Sequence, residues 1–332
     1  MSSLKDKRPT LRNLAAKLGL GVSTVSQALR DSPEIAAATR ERVKKAATEA
    51  GYIPNRAGVR LRTGKTNILS LVLNPEDDGS GFFTNMIYGI SDALAGSRYH
   101  LVVTPYSLHD PMEPIRFIAE THAADGIIIS RTTPDDPRVS YLSAANIPFI
   151  THGRSELGIS HCFYDFDNHA YVCEALRRLK LRGRRRVALF GPPPGLTYAT
   201  HTLTGFRDGL QATAMEGHVV QDVHSDSASG LLQVAAKALA EVRNRPDGII
   251  CTSAREAIAV ASGLRAGGME MGRDYDLVAK PISELARLAL PDLIGIEEDH
   301  RAAGRELARM LIAHIDGAPV SSLQMIAAPA RA

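Results

Sequence analysis

Between Val22 and Arg30 the chain reads VSTVSQALR. At helical spacing Val25, Ala28 and Leu29 share one side, which leaves Val22, Ser23, Thr24, Ser26, Gln27 and Arg30 on the other. Hydroxyls, a carboxamide and a guanidinium on one short outer face are groups that hydrogen-bond a ligand. The surrounding charge says what kind of ligand. Residues 1–65 hold 14 Lys and Arg against 5 Asp and Glu, whereas the remainder holds 25 against 31. A small basic head on an acidic body points to a polyanionic partner for the head alone. A merely solvated charged face does not account for an imbalance that stops near Lys65.

Other spacings offer less. His161, Asp165, Asp167 and His169 alternate as on a strand, so they supply no full coordination shell, and no metal is expected. The loop Gly191-Pro192-Pro193-Pro194-Gly195 lacks the Lys-Ser/Thr of a phosphate-binding loop. Neither a Ser-His-Asp order nor a carboxylate pair can be argued, so no catalytic residue, enzyme activity or cofactor is assigned. The run Arg182-Gly183-Arg184-Arg185-Arg186 reads as a basic surface loop before a strand. Cys162, Cys173 and Cys251 lack CxxC pairing and read as packing residues of a reducing, cytoplasmic compartment. MSSLKDKRPT at the N-terminus has no apolar core of a secretory signal, and no apolar run reaches membrane-spanning length.

The elements that position the polar face are local. Leu11, Leu14, Ala15 and Leu18 make one stripe, which predicts a helix over 11–18 with Thr10 as N-cap. Gly19-Leu20-Gly21 breaks it. A second helix runs from Val22 to about Leu29, and a third from about Thr39 to Ala50 packs Val43, Ala46, Ala47 and Ala50 inward. The third helix shows Arg40, Arg42, Lys44 and Lys45 outside and ends at Gly51. Two short helices across a glycine turn make a helix-turn-helix, whose second helix fits the DNA major groove.

Beyond Thr66 the periodicity changes. Apolar runs at 68–73, 101–104, 126–129 and 148–151 alternate with helical stretches near 86–95, 112–121 and 139–145. A second set follows, with strands at 186–190, 219–223, 248–251 and 275–279 and helices near 203–212, 229–242 and 256–266. This is the pattern of βαβ units, hence two α/β halves with parallel sheets and a cleft at the strands' carboxyl ends. A last helix, 301–315, is expected in the second half or crossing between the two.

TLRNLAAKLGLGVSTVSQALRDSP, followed by TRERVKKAATEAGYIPNRAGVRLRTGKT, resembles the DNA-binding head and hinge of the lactose-repressor (LacI-type) family. The pairing of T-V-S with Y-I-P-N-R carries the resemblance most specifically. It implies an all-α helix-turn-helix headpiece over 1–54 and a hinge over 55–65. A periplasmic-binding-protein-like effector and dimerisation domain of two parallel-sheet α/β halves follows over 66–332. It also implies a cytoplasmic homodimer on double-stranded operator DNA, with no membrane partner.

By position, the resemblance gives Val22, Ser23 and Gln27 the reading of base edges, and Thr24, Ser26 and Arg30 contacts to phosphate. Those roles agree with the chemistry of the groups. Thr10 and Tyr52 complete the head's DNA-binding set. Val22 also admits a second reading, as a half-buried edge of the helical core. Many relatives carry Arg where this chain has Gln27; Gln bonds adenine bidentately, whereas Arg prefers guanine. Asn55 and Arg56 would lie along the groove, and Leu61 would be the apolar wedge that unstacks a central step. Gly58 replaces a commoner alanine there, at a cost of about 1 kcal/mol to a helix.

For the effector, the resemblance points to Phe82 or Phe83 stacking on a sugar ring. Arg154 and Asp165 would face the cleft, although Asp167-Asn168 reads equally as an N-cap pair. The second half departs from the family at Thr202, at Ser253-Ala254-Arg255 and at Ala279-Lys280-Pro281. The usual ligand-facing Asp is lost, Arg255 and Lys280 add positive charge, and Glu298 and Asp299 sit opposite. The expected ligand is a small neutral sugar, a disaccharide or glycoside. A phosphorylated or acidic corepressor is the rival within regulators, and a sugar-processing or transport component the rival outside them.

Overall fold

The computed structural model describes residues 9–52, 60, 64–74, 81–106, 109–280 and 284–330. The chain divides into two compact units, Met1–Thr66 and Asn67–Ala332.

In the first unit, α1 (Leu11–Leu18) begins on Thr10, whose hydroxyl oxygen accepts from the Asn13 N–H at 3.2 Å. It ends in a left-handed Gly19, φ 64°, with the Gly19 and Leu20 N–H groups donating back to Ala16 and Ala15. Helix α2 spans Val22–Ala28 and α3 spans Ala37–Glu49. Leu14, Ala15, Val25, Ala28, Val43, Ala46 and Ala47 close into one small core, with Leu20, Ile35 and Tyr52 against it. The outer face of α3 is less free than its periodicity suggested. Arg42 donates to the Leu18 carbonyl at 2.7 Å, Arg40 to the Ser32 carbonyl at 3.1 Å, and Lys44 pairs with Asp31. These cations staple the turns between helices. Gly51, φ 61°, ends the bundle. Asn55, Arg56 and Leu61 lie outside the described residues.

The second unit has two lobes, each a wholly parallel sheet with helices on both faces. Lobe 1 orders its strands β11-β5-β4-β3-β1-β2, with β1 Ile68–Leu73, β2 His100–Pro105, β3 Gly126–Ser130, β4 Phe149–His152, β5 Cys162–Phe166 and β11 Gln324–Ala327. Its helices are α4 (Phe82–Leu94), α5 (Glu113–Thr121), α6 (Pro137–Ala144) and α12 (His300–Ile315). Lobe 2 orders β10-β9-β8-β6-β7, with β6 Arg186–Phe190, β7 Glu216–Val219, β8 Gly248–Cys251, β9 Asp276–Ala279 and β10 Ile294–Gly295. Around it lie α7 (Asn168–Leu181), α8 (Thr197–Thr213), α9 (Ser229–Glu241), α10 (Ala254–Ala266) and α11 (Glu284–Ala289). Central strands buried on both faces read as near-continuous apolar runs, as Ile127, Ile128 and Ile129 do.

Three expectations change. The strand expected at Val219–Val223 lies at Glu216–Val219, because Asp222 adopts φ 64° and breaks the extended run. The last helix belongs to lobe 1: Ala303, Leu307 and Leu311 pack with Met86 and Ile90 of α4. The segment leading back into the second half contains a strand, β5, that was not in the expected set, while α7 is the helix that the N-cap reading of Asp167-Asn168 called for. Among the described residues the chain crosses between lobes at Asp167 and at 296–299. None of the described helices is long and apolar enough to cross a membrane.

Candidate nucleic-acid interface and effector cleft

On α2, Val22 is 41% exposed, which favours the outward reading over the half-buried edge. Ser23 and Arg30 are exposed, and Thr24, Ser26 and Gln27 are partly so. Arg30 folds onto Ser26, with Nε donating to its carbonyl at 2.9 Å and Nη2 to its Oγ at 3.4 Å. Two of the three residues assigned to phosphate therefore already form a unit. Gln27 Nε2 donates to Glu34 Oε2 at 3.2 Å. Thr10 is a helix cap, and Tyr52 packs its ring against the helical core, where burial pushes its phenol up.

The larger unit holds a cleft between its lobes, lined by residues of both. Strand ends build it, as the parallel architecture requires. Arg131 and Thr132 follow β3, His152 and Gly153 close β4, Asp165 ends β5, and Thr252-Ser253 follow β8. Phe82 and Phe83 open α4, and Phe82 lies edge-on to His152 and His300, with centroids at 5.3 and 4.7 Å. Tyr198, Ser225 and Asp226 complete the lobe 2 side.

At the crossings, Lys280 Nζ donates to Glu298 and to Asn168, each at 2.7 Å, and stands over the rings of Phe166 and Tyr171. His300 Nε2 lies 3.3 Å from Glu298 Oε1. Burial alone would raise the Glu298 carboxyl, but Lys280, His300 and His152 beside it hold it well below the usual range. Burial pulls His152 down to about 4, and its Nε2 has no hydrogen-bond partner. The remaining charges are also matched. Asp165 accepts from Arg154 Nε at 2.6 Å, and Arg131 reaches across the cleft to Asp226 at 2.8 Å. Next to Thr132, whose carbonyl accepts from the Thr197 N–H, Gly153 lies so close that a Cβ would sit 2.6 Å from the Thr132 hydroxyl.

Of the residues expected around an effector, Phe82, Phe83, Asp165, Ser253, Lys280 and Glu298 line this cleft. Arg154, Thr202 and Arg255 do not. Arg154 is spent on Asp165, and Thr202 is fully buried with its hydroxyl bonded to the Tyr198 carbonyl at 2.8 Å. Arg255 turns away to the carbonyls of Ser225 and Ser227. Asp299 caps α12 through the Ala302 N–H, as Asp167 caps α7 through the Ala170 N–H. His161, Asp165, Asp167 and His169 go to separate partners and do not converge. Arg131, His152 and Thr252 were missed although strand-end position marked them. His300, Ser225 and Asp226 carried no local signal.

A helix-turn-helix head with a two-lobed ligand-binding body defines a class, the ligand-responsive DNA-binding regulator. Residues 10–55 match the model for bacterial regulatory proteins of the lacI family, and residues 176–330 match a periplasmic binding protein-like domain. The chain belongs to the LacI family. RafR of Escherichia coli, an HTH-type transcriptional regulator, is 32% identical over 330 residues, covering 96% of each chain. A structure of a CelR–cellobiose complex is 28% identical, with a TM-score of 0.71 over 97% of this chain and 98% of that one. A lac repressor dimer bound to operator is 18% identical, with a TM-score of 0.81 over 98% and 97%, which supports the fold alone. The protein is a sequence-specific DNA-binding transcriptional regulator and not an enzyme.

Proposed function

We propose that the protein is a cytoplasmic homodimeric repressor, released from a roughly palindromic operator when a small neutral carbohydrate, a disaccharide or glycoside, enters the cleft. Two heads take successive major grooves through Val22, Ser23 and Gln27, while Thr24, Ser26 and Arg30 hold the backbone. Thr10, Tyr52, Asn55, Arg56 and Leu61 extend that surface toward the minor groove.

One observation carries the choice of ligand. Each charged side chain lining the cleft already faces an opposite charge of the protein: Arg131 with Asp226, Asp165 with Arg154, Lys280 with Glu298. An anionic ligand would have to displace a carboxylate. A neutral ring finds the aromatic side chain of Phe82 and polar groups at Asn168, Thr252, Ser253 and His152 instead. The cellobiose in the CelR complex, also a disaccharide, supports the same class.

Because the ligand touches both lobes, it favours whichever lobe arrangement completes those contacts, and it shifts DNA affinity only by that difference. The test is a thermal-shift screen of neutral disaccharides, glycosides and sugar phosphates, followed by gel-shift with the upstream region. Neutral sugars that stabilise the protein and release DNA are the expected result. Release by phosphorylated or acidic ligands alone would overturn the effector class, and absent binding at low salt would overturn the repressor reading.

A further inference from the structure

Gln27 is assigned to a base edge, yet a neighbouring carboxylate engages its amide nitrogen: Nε2 donates to Glu34 Oε2 at 3.2 Å. Glu34 lies in the turn between α2 and α3, and the backbone fixes that turn on both sides. The Ser32 N–H donates to the Gln27 carbonyl and the Ile35 N–H to the Ser32 carbonyl, both at 3.1 Å. Ile35 packs against the helical core, and Arg40 holds the Ser32 carbonyl. The carboxylate is thus presented beside the recognition helix by a built turn. Asp31, three residues earlier, is neutralised by Lys44, whereas Glu34 is directed at an amide. A carboxylate next to a DNA-reading face opposes phosphate binding, so its place there needs another account.

A glutamine amide can exchange its oxygen and nitrogen by turning about its last torsion. Glu34 removes that freedom. Only the nitrogen can donate to a carboxylate, and the flipped amide would set oxygen against oxygen. With one N–H taken, Gln27 keeps Oε1 as acceptor and its second Nε2–H as donor. Adenine offers the complementary pair, the N6 amino group and N7. Guanine offers two acceptors, O6 and N7, which a free glutamine can bridge with its NH2 but a locked one cannot. The geometry points to Glu34 as a specificity-determining positioning residue that locks Gln27 to read adenine and reject guanine. This rests on the base-reading role of Gln27.

The experiment is a selection by the full-length protein from duplexes with a randomised core. Affinities then follow for each single-base change in the selected site. Wild type, Gln27→Ala, Glu34→Ala and Glu34→Gln are compared. Gln27→Ala erases preference at one base pair and thereby identifies it. Wild type prefers adenine over guanine there by about tenfold or more, and Glu34→Ala reduces the ratio to within about threefold. Preferences at other positions and the thermal midpoint stay unchanged. Glu34→Gln, whose side-chain oxygen still accepts from Nε2, restores part of the ratio. An unchanged ratio in Glu34→Ala overturns the inference, as does a uniform loss across all positions or a wild-type preference for another base. If Gln27→Ala leaves all preferences intact, the role of Gln27 falls and this inference with it, while operator binding and effector release stand.

Discussion

At the scale of single residues, Asp226 sets the charge that the cleft shows a ligand. Its carboxylate holds Arg131, a non-glycine residue at φ 55°, from the opposite lobe. Asp226→Ala should raise affinity for sugar phosphates by up to about tenfold, read by calorimetry, with neutral sugars affected less. Glu256, behind the cleft wall, is pushed up to about 8 by burial, against the pull of the Thr252 N–H and hydroxyl. Between its ordinary 4.5 and about 8 the folded chain keeps a proton that the unfolded chain releases, so stability falls as pH rises through that window. His152 acts in the opposite sense. Between about 4 and 6.5 the unfolded chain binds the proton, so stability falls as pH drops. Above pH 6.5 the Glu256 slope is the one of these two that remains. Glu256→Gln should therefore flatten the decline of Tm between pH 6.5 and 8. Equal slopes for variant and wild type would mean that the carboxyl is already ionised in the folded protein.

Among the elements, the closest approach in lobe 1 is between α4 and α12. A Cβ on Gly89 would sit 2.0 Å from the Arg301 carbonyl, and one on Gly304 2.2 Å from the Met86 carbonyl. Gly304→Ala must push the two backbones apart, at a cost of roughly 1–3 kcal/mol, which a urea titration would report. An unchanged midpoint would refute that contact. This pairing also marks the limit of what the sequence disclosed. Helices α1, α2 and α3 were legible because their stripes, Thr10 cap and glycine stops act within a few residues. The lobe of α12 was not, because glycine fit between segments some two hundred residues apart leaves no local period. Edge strand β11, mostly exposed and paired with β5 among the described residues, was not anticipated either, since its short apolar run 325–328 has no alternation to mark it as a strand. In the cleft, Asp165 and Lys280 were marked by likeness to, and departure from, the family's pattern. The direction in which Arg154, Thr202 and Arg255 spend their donors depends on partners that no motif spells out. For the hinge, Leu61→Ala should lower specific operator affinity without changing nonspecific binding; equal affinity would remove the wedge role.

For the whole molecule, the charge division between residues 1–65 and the rest means that attraction to DNA resides in the head. Operator affinity should fall steeply with salt, by about 10³-fold or more between about 50 and 200 mM if six or more phosphates are neutralised. A shallow slope in a filter-binding series would count against phosphate neutralisation by Arg30 and the head's other cations. Effector binding, whose charges are matched inside the protein, should respond far less to the same change in salt.

The crossings between lobes also fix an order of assembly during synthesis. Lobe 2 occupies one continuous stretch, from α7 to β10, whereas lobe 1 needs α12 and β11 from beyond it. On the ribosome, lobe 2 is complete while the β5 edge and the glycine-bearing face of α4 still lack their covers. The half made first is the half finished last, and a nascent chain stalled before His300 carries one complete lobe and one open one.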